Sequence, residues 1–215
     1  MKRAVIFLNG NRPPRDLVFE TIKTTDTIIC ANGGSKHAVA LGVVPNVIIG
    51  DQDSLPKATL RELKKHKITW IHHPKEKDET DSELAIHFAR EKGYTDIIFF
   101  GFVGSRIDHM MATLLLLSSD FVLFDSVTII DVKQTLHIVR KHLALFGEKG
   151  EYVSLVPLLG DAKGVTTRGL KWKLRQDTLR FGKTRGVSNE IISQHAAVSV
   201  ERGVLLVMHT RGKAP

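Results

Sequence analysis

The sequence is short of the residues that staple a fold or carry it through a membrane. Cys30 is the single cysteine in 215 residues. An internal disulfide is therefore excluded, and a reducing compartment, the cytoplasm, is the expected setting. Aromatic residues amount to 7% and do not interleave with basic ones, so no platform for stacked bases is built. No apolar run approaches the ~20 residues that cross a bilayer, the longest being residues 114–117 with their neighbours. The first apolar run, residues 4–8, is too short for the core of a secretory leader and has no small-residue cleavage site after it. What remains is an ordinary globular composition, 42% hydrophobic and 25% charged, with neither repeats nor low-complexity segments. Its length suits one large domain or two small ones.

Charge divides the chain. Residues 1–132 hold 16 Lys+Arg against 17 Asp+Glu, a net of −1, and residues 133–215 hold 15 against 6, a net of +9. A basic half raises the question of a nucleic-acid partner. The plainer reading is that basic residues such as Lys171, Lys173 and Arg175 alternate along strands and face water.

Periodicity divides it at the same place. Before residue 132, β-branched runs at 4–8, 27–31, 46–49, 68–71, 96–100, 121–124 and 127–130 read as strands. Helical spacing appears at 35–41, 57–66, 82–92 and 106–118. Thr80-Asp81-Ser82-Glu83 reads as a capping box, Thr80 capping and Glu83 reaching back. Strand–helix alternation with strands apolar on both faces predicts a mostly parallel sheet covered by helices. From residue 134 onward, short runs at 135–139, 143–146, 152–155, 197–200 and 204–208 recur between glycines and charged turns. These predict an antiparallel sandwich or barrel. Two domains are expected, residues 1–132 and 133–215.

The polar motifs of the first half follow its strands. Asn32-Gly33-Gly34, Gly50-Asp51-Gln52-Asp53-Ser54, Lys77-Asp78-Glu79-Thr80-Asp81 and Gly101-Phe102-Val103-Gly104-Ser105-Arg106-Ile107-Asp108-His109 each come after one. In a parallel sheet all four lie along the edge where open α/β sheets bind ligands. Asp51, Asp53, Asp78, Asp81 and Asp108 are hard oxygen donors that suit Mg²⁺. Gathered in one cleft, they would repel one another without a cation. Glycines let backbone N–H groups approach phosphate oxygens, and Arg106 offers a fork of donors. Acids, glycine loops and an arginine describe a site for a nucleotide polyphosphate. Each residue also has a plainer reading alone. Asp51 and Asp53 suit a turn, Asp81 and Asp108 suit first helical turns, and Arg106 beside Asp108 suits a surface ion pair. His109 reads as a packing or capping histidine, His72 and His73 as non-ligands, and Cys30 as core. Gly182-Lys183-Thr184 is no P-loop, since the glycine required five residues earlier is Asp177.

These motifs together resemble the thiamine pyrophosphokinase family. The second half agrees. Ser154-Leu155-Val156-Pro157-Leu158 is similar to the family's S-L-[IV]-P-L strand. Residues 164–174, with Gly169-Leu170-Lys171-Trp172, are similar to its G-V-x-T-x-G-L-x-W-x-L segment. Phe181-Gly182 and Ser188-Asn189-Glu190 resemble the elements that follow. The correspondence runs from about Asn32 to Val207. It implies transfer of pyrophosphate from ATP to thiamine, giving AMP and thiamine diphosphate with Mg²⁺. It also implies a Rossmann-like three-layer catalytic domain, a β-sandwich domain and a homodimer whose sites are shared between subunits. By motif, Asp51, Asp53 and Asp81 would hold Mg²⁺ and polyphosphate. Asp78 would support them, as would Asn32, Gly33, Gly34, Thr80, Gly104 and Ser105 around the phosphates. Arg106 and Asp108 would meet the phosphates or the reacting end of thiamine. Trp172 and Ser188 would contact thiamine from the partner subunit, with Asn189 supporting their loop; the plainer reading of Trp172 is a core residue. Asn32 stands where the family usually has aspartate. A pterin-alcohol pyrophosphokinase and a basic nucleic-acid-binding module are the alternatives. The Trp172 and Ser188-Asn189 elements disfavour the first, and the convergent acids disfavour the second.

Overall fold

Strands that are apolar on both faces need cover on both faces, and the first half of the chain provides it. The computed structural model describes residues 2–51, 55–74, 76–119 and 124–213. These fall into two units, residues 1–116 with 120–132 and residues 117–119 with 133–215. The first unit runs β1 (Arg3–Phe7), α1 (Arg15–Thr21), β2 (Thr27–Ala31), a 3₁₀ turn at Asn32–Gly34, α2 (Ser35–Leu41) and β3 (Val47–Gly50). It continues with α3 (Lys57–Leu63), β4 (Thr69–His72), α4 (Asp81–Glu91), β5 (Asp96–Phe100), α5 (Ile107–Ser118) and β6 (Ser126–Ile130).

All of its strand pairs are parallel, in the order β6-β5-β1-β2-β3-β4. From β1 the chain steps outward to β4, returns through α4 to β5 beside β1, and steps outward again the other way. Right-handed crossovers then place the outward and return helices on opposite faces. The contacts agree. Val18 of α1, Ala38 and Leu41 of α2 and Leu63 of α3 pack with Val5, Phe7, Cys30, Ile48 and Phe100, whereas α4 packs on β2 and β3. Strand residues of the other parity, Ile6, Ile29, Ile49 and Phe99, are just as buried. The result is the expected three-layer, Rossmann-like arrangement. Cys30 is fully buried in this core, and burial pushes its thiol far up.

The second unit is a two-sheet antiparallel sandwich. Its strands are β7 (Gln134–Val139), β8 (His142–Phe146), β9 (Glu151–Pro157), β10 (Ala162–Arg168), β11 (Asp177–Leu179), β12 (Asn189–Glu190), β13 (His195–Ser199) and β14 (Leu205–Lys213). One sheet pairs β12-β9-β14-β7 and the other β11-β10-β13-β8. Val153, Leu155, Leu205 and Val207 from the first meet Leu145, Val165, Leu179 and Val198 from the second in one core. The strict burial alternation of β9 is the pattern of a sheet with one inner face.

The structure departs from the sequence reading in places. Helix α1 was not anticipated, because its seven residues offer a single buried position, Val18. Strand β10 also escaped. Its alternation is broken by Gly164 at φ +66° and by a register shift between Ala162 and Val165, as a bulge does. Strands β11 and β12, of three and two residues, are too short to show a period. Lys171, Lys173 and Arg175 do face water, but from the loop between β10 and β11 rather than from a strand. Of the expected strand at 121–124, residues 121–123 lie outside the described residues, and Phe124 is in no strand.

Candidate active site

Strands β1 and β5 lie side by side, yet the chain leaves them toward opposite edges of the sheet. This is the switch point at which parallel sheets open a crevice. Past the strand ends the two loops stay zipped. The Leu8 N–H donates to the Phe100 carbonyl at 2.8 Å, Gly10 to Gly101 at 2.7 Å and Asn11 to Val103 at 2.6 Å. Side chains have no room in this seam: a Cβ on Gly101, which sits at φ +65°, would strike the Leu8 carbonyl oxygen, and one on Gly10 would strike those of Gly101 and Val103. His37 of α2 braces it, with Nε2 2.8 Å from the Gly10 carbonyl. Burial pushes His37 down, and because a carbonyl oxygen only accepts, Nε2 carries the proton of this bond. The segment Leu8-Asn9-Gly10 and His37 were missed by the sequence reading. They carry no charge pattern, and only the pairing of β1 with the distant β5 gives them a place.

Above this seam opens a cavity of about 540 Å³. Asn32, Gly33, Thr80, Asp81, Gly104, Ser105 and Arg106 line it, all expected, with Lys77 and Glu79 of the same edge motif, to which no role had been given, and with Asn9, Lys36 and Met110, which were not expected. Gly33 lies against the Asn9 side chain, and Gly34 is packed behind it on the Phe7 carbonyl. Asp51, Asp78 and Asp108 are not among the lining residues. Asp51 is half-buried just past β3, whereas Asp78 is exposed. Asp53 lies outside the described residues.

Asp81 is held at both carboxylate oxygens. Thr80 caps α4, its hydroxyl oxygen accepting the Glu83 N–H at 3.1 Å, and so places Asp81 in the first helical turn. The return half of the capping box is not made: the Glu83 carboxylate lies 3.6 Å from His87 instead. Asp81 Oδ2 accepts from the Asn32 amide at 3.0 Å and Oδ1 accepts from Lys77 Nζ at 2.9 Å. Asn32 itself sits at φ +40°, a left-handed conformation that asparagine tolerates better than most residues. An ionised aspartate there would have no proton to donate to Asp81. A Cβ on Gly50 would come within 2.8 Å of Asn32 Cβ and 3.0 Å of Asp81 Oδ1. The missing side chain thus lets Asp81 close against the Gly50–Asp51 corner.

Asp81 thus lies against the backbone corner that carries Asp51, and both are hard oxygen donors of the kind that fits Mg²⁺. Among the described residues no three His, Cys, Asp or Glu side chains gather closely enough to hold a metal; Asp53, the third acid of the expected set, is not one of those residues.

Arg106 and Asp108 form a forked pair at the rim, with Nε to Oδ1 at 2.9 Å and Nη2 to Oδ2 at 2.6 Å. The Arg106 guanidinium, more than the His109 N–H, holds the Asp108 carboxyl well below the usual carboxylate range. Their side chains are 67% and 63% exposed, so the pair adds little stability and is open to exchange for an incoming anion.

In the second unit, Trp172 is 56% exposed, which removes the core reading of that residue. Lys171 Nζ stands 4.9 Å from its ring centroid and also reaches Glu190 at 2.7 Å. Asn189, buried, accepts the Trp172 N–H at 3.0 Å and donates to the Trp172 carbonyl at 2.7 Å. The neighbouring Ser188 sits at φ +59°, with its N–H on the Ser154 hydroxyl at 3.0 Å.

Comparison with known proteins agrees over both units. Residues 19–129 match the family model for the thiamin pyrophosphokinase catalytic domain, and residues 129–205 match that for the thiamin pyrophosphokinase vitamin B1 binding domain. A thiamine pyrophosphokinase of Bacillus subtilis is 28% identical over 209 residues, covering 92% of this chain and 94% of its own. Thiamine pyrophosphokinase 2 of Arabidopsis thaliana is 26% identical, covering 94% and 84%. In fold, the Bacillus subtilis thiamine pyrophosphokinase crystal structure superposes with a TM-score of 0.85 at 23% identity over 98% of this chain and 99% of its own. The Candida albicans enzyme does so with 0.74 at 14% identity, over 97% and 90%.

Proposed function

We propose the chemistry of this site from one premise: the chain belongs to the thiamin pyrophosphokinase family and is an enzyme of thiamine pyrophosphoryl transfer. The donor in this reading is ATP. The thiamine hydroxyl attacks the β-phosphorus in line, a pyrophosphoryl group is transferred, and AMP leaves. Such transfers depend on positioning and charge stabilisation. One observation carries the reading: Asp81, Arg106 and the glycine-backed loops line a single cavity at the carboxyl ends of parallel strands.

Asp51 and Asp81, joined by Asp53, would hold Mg²⁺, which supplies charge neutralisation on the polyphosphate. The chain's own groups do the rest. N–H groups of the Gly33 and Ser105 loops would face the phosphates. Arg106 exchanges Asp108 for a phosphate and offsets the charge that develops on the transferred group. Asp81, engaged at both oxygens, is suited to holding charge. Asp108, released when Arg106 turns to the phosphate, is left to orient the thiamine hydroxyl. The thiazolium ring carries a fixed positive charge that an acidic cleft favours, and Trp172 offers it a stacking face, with Ser188 alongside.

A homodimer with shared sites completes the reading. Its support is apolar surface on α5, where Ile107 and Met111, four residues apart, are 71% and 53% exposed. Such surface suits a covering partner. The test of the reaction is product analysis after incubation with Mg-ATP and thiamine. AMP and thiamine diphosphate in equal amounts are expected. ADP with thiamine monophosphate, or turnover that ignores thiamine, would overturn the reading.

A further inference from the structure

We propose that Lys77 is a stand-in cation: it neutralises Asp81 while the site is empty and passes to the polyphosphate when metal and nucleotide arrive. The inference rests on the reading that this cavity takes both. Lys77 Nζ is 2.9 Å from Asp81 Oδ1 and 3.1 Å from the Pro74 carbonyl. The side chain is 13% exposed and that of Asp81 27%, so the ammonium is largely withdrawn from water and held on one carboxylate oxygen and one carbonyl. A half-buried carboxylate needs such a counter-charge.

The choice of oxygen is what makes the arrangement exclusive. Oδ2 is taken by the neutral Asn32 amide at 3.0 Å, which a metal does not repel. Oδ1 is the atom turned to Gly50, the residue before Asp51, 3.0 Å from where its Cβ would stand. A cation shared by Asp51 and Asp81 would approach that same oxygen. Two cations on one carboxylate oxygen repel at this range even with strong screening, so the metal displaces the ammonium. The displaced group does not leave the site. Lys77 lines the cavity with Gly104, Ser105 and Arg106, and its flexible four-carbon stem carries three rotatable donors that suit a phosphate oxygen. The net charge around Asp81 thus stays balanced throughout: ammonium before loading, metal after it, with the ammonium spent on the nucleotide.

The experiment compares wild type, Lys77→Met and Lys77→Arg in two binding measurements that need no turnover. The first is Mn²⁺ affinity without nucleotide, by electron paramagnetic resonance. The second is Mg-ATP affinity without thiamine, by calorimetry. Removing the competing cation should tighten Mn²⁺ binding by roughly three- to tenfold. Losing a charge-assisted phosphate contact should weaken Mg-ATP binding by about tenfold. Lys77→Arg should restore most of the ATP affinity. Opposite signs in the two measurements are the signature, since a merely structural lesion weakens both. Loss of both affinities, or no change in either, overturns the proposal, and so does tighter Mn²⁺ binding with unaltered ATP binding. Wild type that binds neither ligand would fell the reading of the cavity and this proposal with it; wild type that binds both while Lys77→Met shows no split fells the proposal alone. Far-UV circular dichroism checks folding, and Lys77→Gln replaces Lys77→Met if the latter fails to fold.

Discussion

A single buried amide, that of Asn189, sets the backbone of Trp172. Its oxygen accepts the N–H groups of Trp172 and Glu190, and its nitrogen donates to the Trp172 carbonyl. Asn189→Asp replaces the donor by an acceptor facing a carbonyl. It should destabilise the second unit by about 1–3 kcal/mol, read by urea denaturation, and raise KM for thiamine more than it lowers kcat. Another residue-scale effect lies where His137, Glu151 and His209 line one recess of the sandwich. His137 is pushed down to about 4, first by burial and then by His209. Glu151 lies below its ordinary range because the N–H groups of Gly212 and Glu148, with His209 at 2.8 Å, outweigh its burial. Unfolded His137 takes up a proton near ~6.5 and the folded residue does not until about 4, so protons favour unfolding between those values. Glu151 adds stability above its unfolded pKa that is lost as pH falls through its folded one. Both act in one direction. Thermal stability should fall as pH drops from about 6.5 to 4, by roughly 3 kcal/mol through His137. His137→Gln should flatten that window and leave the lower-pH loss due to Glu151.

At the scale of elements, the first turn of α4 is where stability and chemistry meet. The Thr80 cap is worth about 1 kcal/mol. The same cap holds Asp81 at the position where Asn32, Lys77 and Gly50 converge on it. Thr80→Ala should lower the unfolding free energy by about that amount. It should also cut kcat by more than the small fraction unfolded accounts for, whereas Thr80→Ser should retain both. The β1 and β5 loops make the complementary point. Glycines at 10 and 101 admit a backbone seam rather than offering loose loops, so the walls of the cavity come as rigid as the sheet beneath them.

For the whole molecule, the separation of acids in one unit from Trp172 and Ser188 in the other has a direct consequence under the shared-site reading. Asp51→Asn and Trp172→Ala should each be nearly inactive alone. After unfolding and refolding together, the mixture should regain about one quarter of wild-type activity, because half of randomly paired dimers are mixed and each keeps one intact site. Recovery of nothing would mean that each chain builds its site alone.

Much of this was legible in the sequence, and for a local reason. Residue-to-residue periodicity follows from which faces are covered, so the strands at 27–31 and 96–100 and the helix at 35–41 can be read from neighbours in the chain. Strand-end loops inherit their common edge from parallel order, which is why Asn32, Asp81 and Arg106 were foreseen along one wall. The Asn189 clamp on Trp172, the Asn9–Gly10 seam and the brace from His37 are of another kind. Each joins groups that acquire a partner only when strands or turns apart in the chain are laid together, and hydrogen bonds of 2.7–3.0 Å leave no trace in spacing or composition. Local covalent order determined the elements and the edge on which the chemistry sits; the packing of β1 against β5 and of Gly50 against Asp81 decided which side chains share the site.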